Sequence, residues 1–238
     1  MLEKLISLVL LSGTLFSNVL YNTVPQKKID GEIFLVNREF VISESYVPDL
    51  VNTQVQGSLR LQREDAAKGL EDMFAAAKEE EGIKLVTVSG YRSYAKQERI
   101  YDNKLKKVKT EEKADEYVAN AGTSEHQLGL AMDLGEKDVH TSLTAGFAKT
   151  KAGIWLVDNA HRFGFIIRYQ EPWEEITGYK YEPWHVRYVG IEHATAMYEK
   201  EIPMEYYVQQ MQMEQLKMWL TFDEEDTAQE QNTISIIP

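Results

Sequence analysis

The chain contains no cysteine. That removes disulfides, thiolate metal ligands, a cysteine nucleophile and lipid attachment through an N-terminal cysteine. S-D-N, K-T-G and G-x-S-x-G are also absent. The run Ser93-Tyr94-Ala95-Lys96 matches S-x-x-K but lacks the companion motifs that serine catalysis through that signature requires. Basic residues are in deficit: 26 Lys and Arg face 38 Asp and Glu, a net charge of -12. Nucleic acid is thereby excluded as a partner, because phosphate binding relies on clustered Lys and Arg. Long apolar runs are scarce as well, the main one being Leu5 to Leu20 at the N-terminus.

What is present fits one folded domain with extensions. A length of 238 residues with 43% hydrophobic content can bury a full core. The Leu5–Leu20 run exceeds an ordinary signal-peptide core and falls short of a secure membrane span. It reads as a signal or membrane anchor for export, with an amphipathic or core helix as the alternative. Three segments follow: residues 1–29 as signal or anchor plus linker, 30–204 as the catalytic domain, and 205–238 as a helical and acidic extension. In the extension, Met211, Met213, Leu216 and Met218 suit either packing on the domain or a partner-binding face.

Leu70, Met73, Phe74 and Ala77 recur at helical spacing within Glu64 to Glu80, and Gly82 closes that helix. Ile83 to Ser89 reads as a strand, Ser93 to Lys107 and Glu111 to Ala119 as helices. Leu130 to Leu134, Phe165 to Tyr169 and Trp184 to Val189 read as short strands, with a helix over Ala152 to Arg162 stopped by Gly164. Strands and helices do not alternate regularly, so the expected class is α+β with a small, largely antiparallel sheet flanked by helices.

Chemistry is concentrated in two short segments. One runs from Ser124 through His126 to Asp133, the other from Glu182 through His185 to Tyr188. Two imidazoles and a carboxylate (His126, His185 and Asp133) are a ligand set for a catalytic zinc, which keeps three protein ligands and leaves its fourth position to water. A further carboxylate, Glu182, is placed to accept a proton from that water. Of the five histidines, His140, His161 and His193 sit in a polar loop, a helix and the stretch after a turn, and are read as structural. Pro183 bars a helix through Glu182 and His185. On a regular strand those two side chains would point to opposite faces, so a turn or bulge near Pro183 is needed for both to face one metal.

Ser124-x-His126-x-x-Gly129-x-Ala131-x-Asp133 and Glu182-x-x-His185 resemble the two signatures of the VanY-type D-alanyl-D-alanine carboxypeptidases. The likeness extends to Ser89-Gly90-Tyr91-Arg92-Ser93 with Gln97, to Tyr46 through Val51, to Asn159 through Phe165, and to Arg168-Tyr169 and Thr177-Gly178-Tyr179. It covers roughly Leu35 to Tyr207. The resemblance implies a zinc carboxypeptidase that removes a C-terminal D-alanine from peptidoglycan stem peptides, either D,D or L,D, by attack of a zinc-bound water. His126, Asp133 and His185 would hold Zn2+, Glu182 would be the general base, and Arg92 would steady the substrate carbonyl or oxyanion. Ser124 and Gln97, with Arg92, match the family's substrate-binding positions. The implied location is outside the cytoplasmic membrane, in the cell envelope. An endopeptidase or endolysin with the same zinc site remains an alternative, as does a non-catalytic cell-wall-binding module, and oligomeric state is left open.

Overall fold

Leu70, Met73 and Ala77 form the fully buried stripe of helix α1 (Glu64–Glu81). Their three- and four-residue spacing places them on one face of a 3.6-residue helix, and truncating a side chain such as Met73 to alanine would cost about 2–5 kcal/mol. The helix stops at Gly82, whose φ of 67 is left-handed and whose N–H returns to the carbonyls of Ala77 and Lys78. These details come from a computed structural model that describes residues 31–218. The expected signal or anchor lies outside the described residues.

After a two-stranded ribbon of β1 (Val51–Asn52) and β2 (Leu61–Gln62) and then α1, the chain builds a four-stranded sheet. Its strands are β3 (Leu85–Ser89), β4 (Ala131–Glu136), β5 (Phe165–Tyr169) and β6 (Glu182–Tyr188), in the spatial order β3-β4-β6-β5 with every pair antiparallel. All of β4 and most of β6 are buried, as expected of central strands covered on both faces. The core joins Leu70 and Met73 of α1 to Leu134 of β4, Val186 of β6, and Phe147 and Leu156. The class is α+β, as the sequence implies.

Helix α2 (Tyr94–Val108) is capped by Ser93, whose hydroxyl accepts the N–H of Lys96. The S-x-x-K serine is thus a helix cap. Helix α3 covers Glu111–Asp115, shorter than the expected Glu111 to Ala119. Arg38 donates to the Asp115 carbonyl, which a helix reaching Ala119 would need for its own N–H. Helix α4 (Lys151–Asn159) tightens into a 3-10 turn, Ala160–Phe163, before the left-handed Gly164. Helices α5 (Glu174–Thr177) and α6 (Ile191–Lys200) complete this unit, which spans Leu35–Met204. Among the described residues, a second unit holds 31–34 and 205–218, with the 3-10 turn Gly31–Ile33 and most of a helix over 204–218. No helix among the described residues is long and apolar enough to cross a membrane.

Candidate active site

The register of the two central strands brings the chemistry together. Asp133 of β4 pairs with His185 of β6, and on its other side with Ser89 of β3. His126 arrives from the 3-10 turn Glu125–Leu128, which ends at Gly129 with φ 71 and leads into β4. A Cβ at Gly129 would meet Leu50 Cδ2 at 2.9 Å, so glycine answers both the backbone sign and the space.

Asp133 Oδ1 stands 3.4 Å from His126 Nε2 and 3.3 Å from His185 Nδ1. One ligand atom from each of the three residues lies within 4.8 Å of the others, and all three side chains are buried. Two donor atoms each about 2.1 Å from a tetrahedral ion stand about 3.4 Å apart, which both Asp133–histidine distances match, while the imidazoles would draw closer together on an ion. The hydrogen-bond inventory suits it too. Asp133 Oδ1 is buried without a hydrogen-bond partner, and His126 Nδ1 lies 2.8 Å from the Gly90 carbonyl. A carbonyl only accepts, so the proton sits on Nδ1 and the lone pair of Nε2 is directed at Asp133. A buried carboxylate oxygen facing a nitrogen lone pair is the arrangement a cation resolves.

Glu182 reaches the same place because β6 bulges. Tyr169 pairs with Glu182 and Ile167 with Val186, so a four-residue step on β6 spans a two-residue step on β5. The register shift breaks the regular alternation here, and Glu182 Oε2 lies 3.7 Å from His185 Nδ1. This is the bulge that Pro183 called for. Burial pushes the Glu182 carboxyl up to about 7, with His185 opposing. Its side chain keeps 20% of its surface exposed, so the penalty comes from the protein mass around a group that still opens on the cleft.

The two imidazoles are driven apart. Burial, with Arg92 close by, lowers His126 to about 4 against the pull of Asp133. Burial acts the same way on His185, but the Asp133 and Glu125 carboxylates beside it outweigh it and raise it to about 9. Asp133 would be raised by burial, yet His126 and Arg92 hold it well below its ordinary value.

Arg92 donates through Nη2 to Asp133 Oδ2 at 2.5 Å, through Nε to Ser89 Oγ at 2.9 Å and through Nη1 to Gln97 Oε1 at 3.3 Å. It therefore turns the other oxygen of Asp133 towards the histidines while one edge still lines the cleft. Gln97 is 1% exposed and spends its amide on Arg92 and on the Ala119 carbonyl. It steadies Arg92 at the wall of the cleft, not on a solvated helix face. Ser124 precedes the 3-10 turn and accepts the Gln127 N–H on its carbonyl. The cleft they share measures about 1100 Å³. His140 bonds Thr144, His161 stacks on Tyr198, and neither belongs to the ligand group.

Sequence reasoning missed Glu125. It is fully buried between Arg168, Arg187 and His185. Burial alone would raise its carboxyl, but the two guanidinium groups hold it well below the usual range. The available signal was a pair of arginines, Arg168 and Arg187, embedded in apolar strands where each needs a buried anion.

Comparison with known proteins agrees with this geometry. The family model for the VanY D-alanyl-D-alanine carboxypeptidases matches residues 59–191. A D-alanyl-D-alanine carboxypeptidase of Enterococcus faecalis is 36% identical over 200 residues, covering 79% of this chain and 71% of the relative. Among solved structures, the LD-carboxypeptidase LdcB is 44% identical with a TM-score of 0.70, over 74% of this chain and 84% of LdcB. A variant of the vancomycin-resistance D,D-pentapeptidase VanY, in complex with Zn(II), is 36% identical with a TM-score of 0.66, over 75% of this chain and 99% of that one.

Proposed function

The chain belongs to the VanY family of D-alanyl-D-alanine carboxypeptidases, and from that premise we propose that it is a zinc-dependent enzyme releasing the C-terminal D-alanine of peptidoglycan stem peptides. The observation that carries the zinc reading is the convergence of Asp133 Oδ1 with His126 Nε2 and His185 Nδ1 at ligand spacing. Zinc bound there would polarise the scissile carbonyl and lower the pKa of a coordinated water from about 16 to near 7.

The chain's own groups do the rest. Glu182, raised to about 7, is poised both to hold and to release a proton near neutral pH. It takes the proton of the attacking water, and as the peptide C–N bond breaks it delivers that proton to the departing amine. The products are free D-alanine and a stem peptide shortened by one residue, ending in a new carboxylate. Arg92 is anchored by Ser89 and Gln97, so its edge on the cleft is a fixed cationic donor for the developing oxyanion. We place this activity outside the cytoplasmic membrane, where stem peptides lie.

The test is to incubate the metal-loaded and the chelated protein with a stem pentapeptide and a stem tetrapeptide, then read product masses. Loss of one terminal alanine from either peptide, in the metal-loaded sample alone, is expected. Internal cleavage would move the assignment to an endopeptidase, and intact peptides would contradict it.

A further inference from the structure

We propose that Glu125 is a positioning residue that dictates which nitrogen of His185 faces the metal position, with Arg168 and Arg187 holding it for that task. The inference rests on the zinc reading of His126, Asp133 and His185.

An imidazole can offer a lone pair on one nitrogen while the other carries a proton, and the partner of the second nitrogen decides which is which. For His126 the partner is the Gly90 carbonyl on Nδ1, so Nε2 is the free donor atom. For His185 the assignment is reversed. Its Nε2 lies 3.3 Å from Glu125 Oε2, and an ionised carboxylate only accepts. The proton that remains when a metal binds must then reside on Nε2, so the nitrogen left for the metal is Nδ1, 3.3 Å from Asp133 Oδ1. With a metal bound, the two rings would take opposite tautomers and present His126 Nε2 and His185 Nδ1 to one ion beside Asp133 Oδ1.

The other oxygen of Glu125 is committed elsewhere. Oε1 accepts from Arg168 Nε at 2.8 Å and Arg187 Nη1 at 2.9 Å, which keeps the carboxylate charged and fixes its plane. Replacing such a buried ionic cluster with apolar residues is often neutral or stabilising, so stability alone does not account for it. Its placement does. Glu125 directly precedes His126, so one 3-10 turn supplies a ligand to the metal and a brace to the ligand opposite. Arg187 stands two residues beyond His185 on β6, the spacing of a shared strand face.

The test loads the protein with a spin-active cadmium isotope and nitrogen-labelled histidine, and reads the metal–nitrogen couplings and the ring N–H protons by NMR. Coupling at His185 Nδ1 and His126 Nε2 is expected, with a slowly exchanging Nε2–H on His185. Glu125→Gln keeps the size and removes the charge. It should speed exchange of that proton and weaken zinc binding by about 10- to 100-fold in chelator competition, while the His126 Nδ1–H signal stays in place. General loosening of the fold would move both signals, so the contrast separates positioning from support. Should Glu125→Gln not fold, the wild-type spectrum decides: coupling at His185 Nε2, or an Nε2–H exchanging as fast as in free imidazole, overturns the inference alone. Wild-type zinc affinity and unchanged exchange in Glu125→Gln would overturn it as well. A wild-type chain that takes up no metal overturns the zinc reading, and this inference with it.

Discussion

Glu182 is a residue on which burial and chemistry make opposite demands. Its carboxyl is raised from an ordinary 4.5 to about 7 in the metal-free fold. A raised acid favours the folded state fully below its unfolded value, and that contribution is lost as pH rises through about 7. Metal-free Glu182→Gln should therefore be more stable than wild type above about pH 7, by about 1–3 kcal/mol, and should match it in acid. The same variant loaded with zinc should lose turnover by about 10²- to 10⁴-fold. Denaturant unfolding across pH and peptide turnover check the two halves; parallel stability curves or undiminished turnover would remove Glu182 from the role. His185 gives a second test at this scale. At about 9 it holds a proton that zinc must displace, whereas His126 at about 4 is already neutral. Zinc affinity should rise by close to tenfold per pH unit up to about pH 9. Chelator competition would show this, and a flat profile from neutral pH upward would contradict it.

Elements supply the precision that single residues cannot. The turn Glu125–Leu128, its left-handed stop at Gly129 and the bulge at the start of β6 deliver His126, Glu182 and His185 to Asp133. Gly129→Ala should cost about 1–2 kcal/mol from the left-handed backbone alone, more with the Leu50 contact, and should weaken zinc binding by displacing His126. An unchanged unfolding midpoint would show that the turn adapts freely. The extent to which sequence reveals these elements follows from the range of the forces involved. Helix α1 is legible because Leu70, Met73 and Ala77 act within one helical repeat, and the bulge is legible because Pro183 and the parity of Glu182 and His185 conflict within four positions. Glu125 is not, since its partners Arg168, His185 and Arg187 lie 43, 60 and 62 residues away. The end of α3 escapes for the same reason, since Arg38, which takes the Asp115 carbonyl there, lies 77 residues away.

For the whole molecule, the residues of the proposed site all lie in the unit Leu35–Met204, and we propose that the N-terminal apolar run serves export. A chain lacking Met1 to Tyr21 should stay soluble, keep its turnover and remain inside the cell; unfolding on that deletion would assign the run to the core. We propose that a single metal serves the reaction. The direct measurement is D-alanine release from a stem peptide while zinc is titrated into the chelated protein. Activity should start near zero, climb in proportion to added zinc and level off at about one equivalent per chain, the stoichiometry of a three-ligand catalytic site. Full activity without metal, or none at saturating zinc, would contradict it.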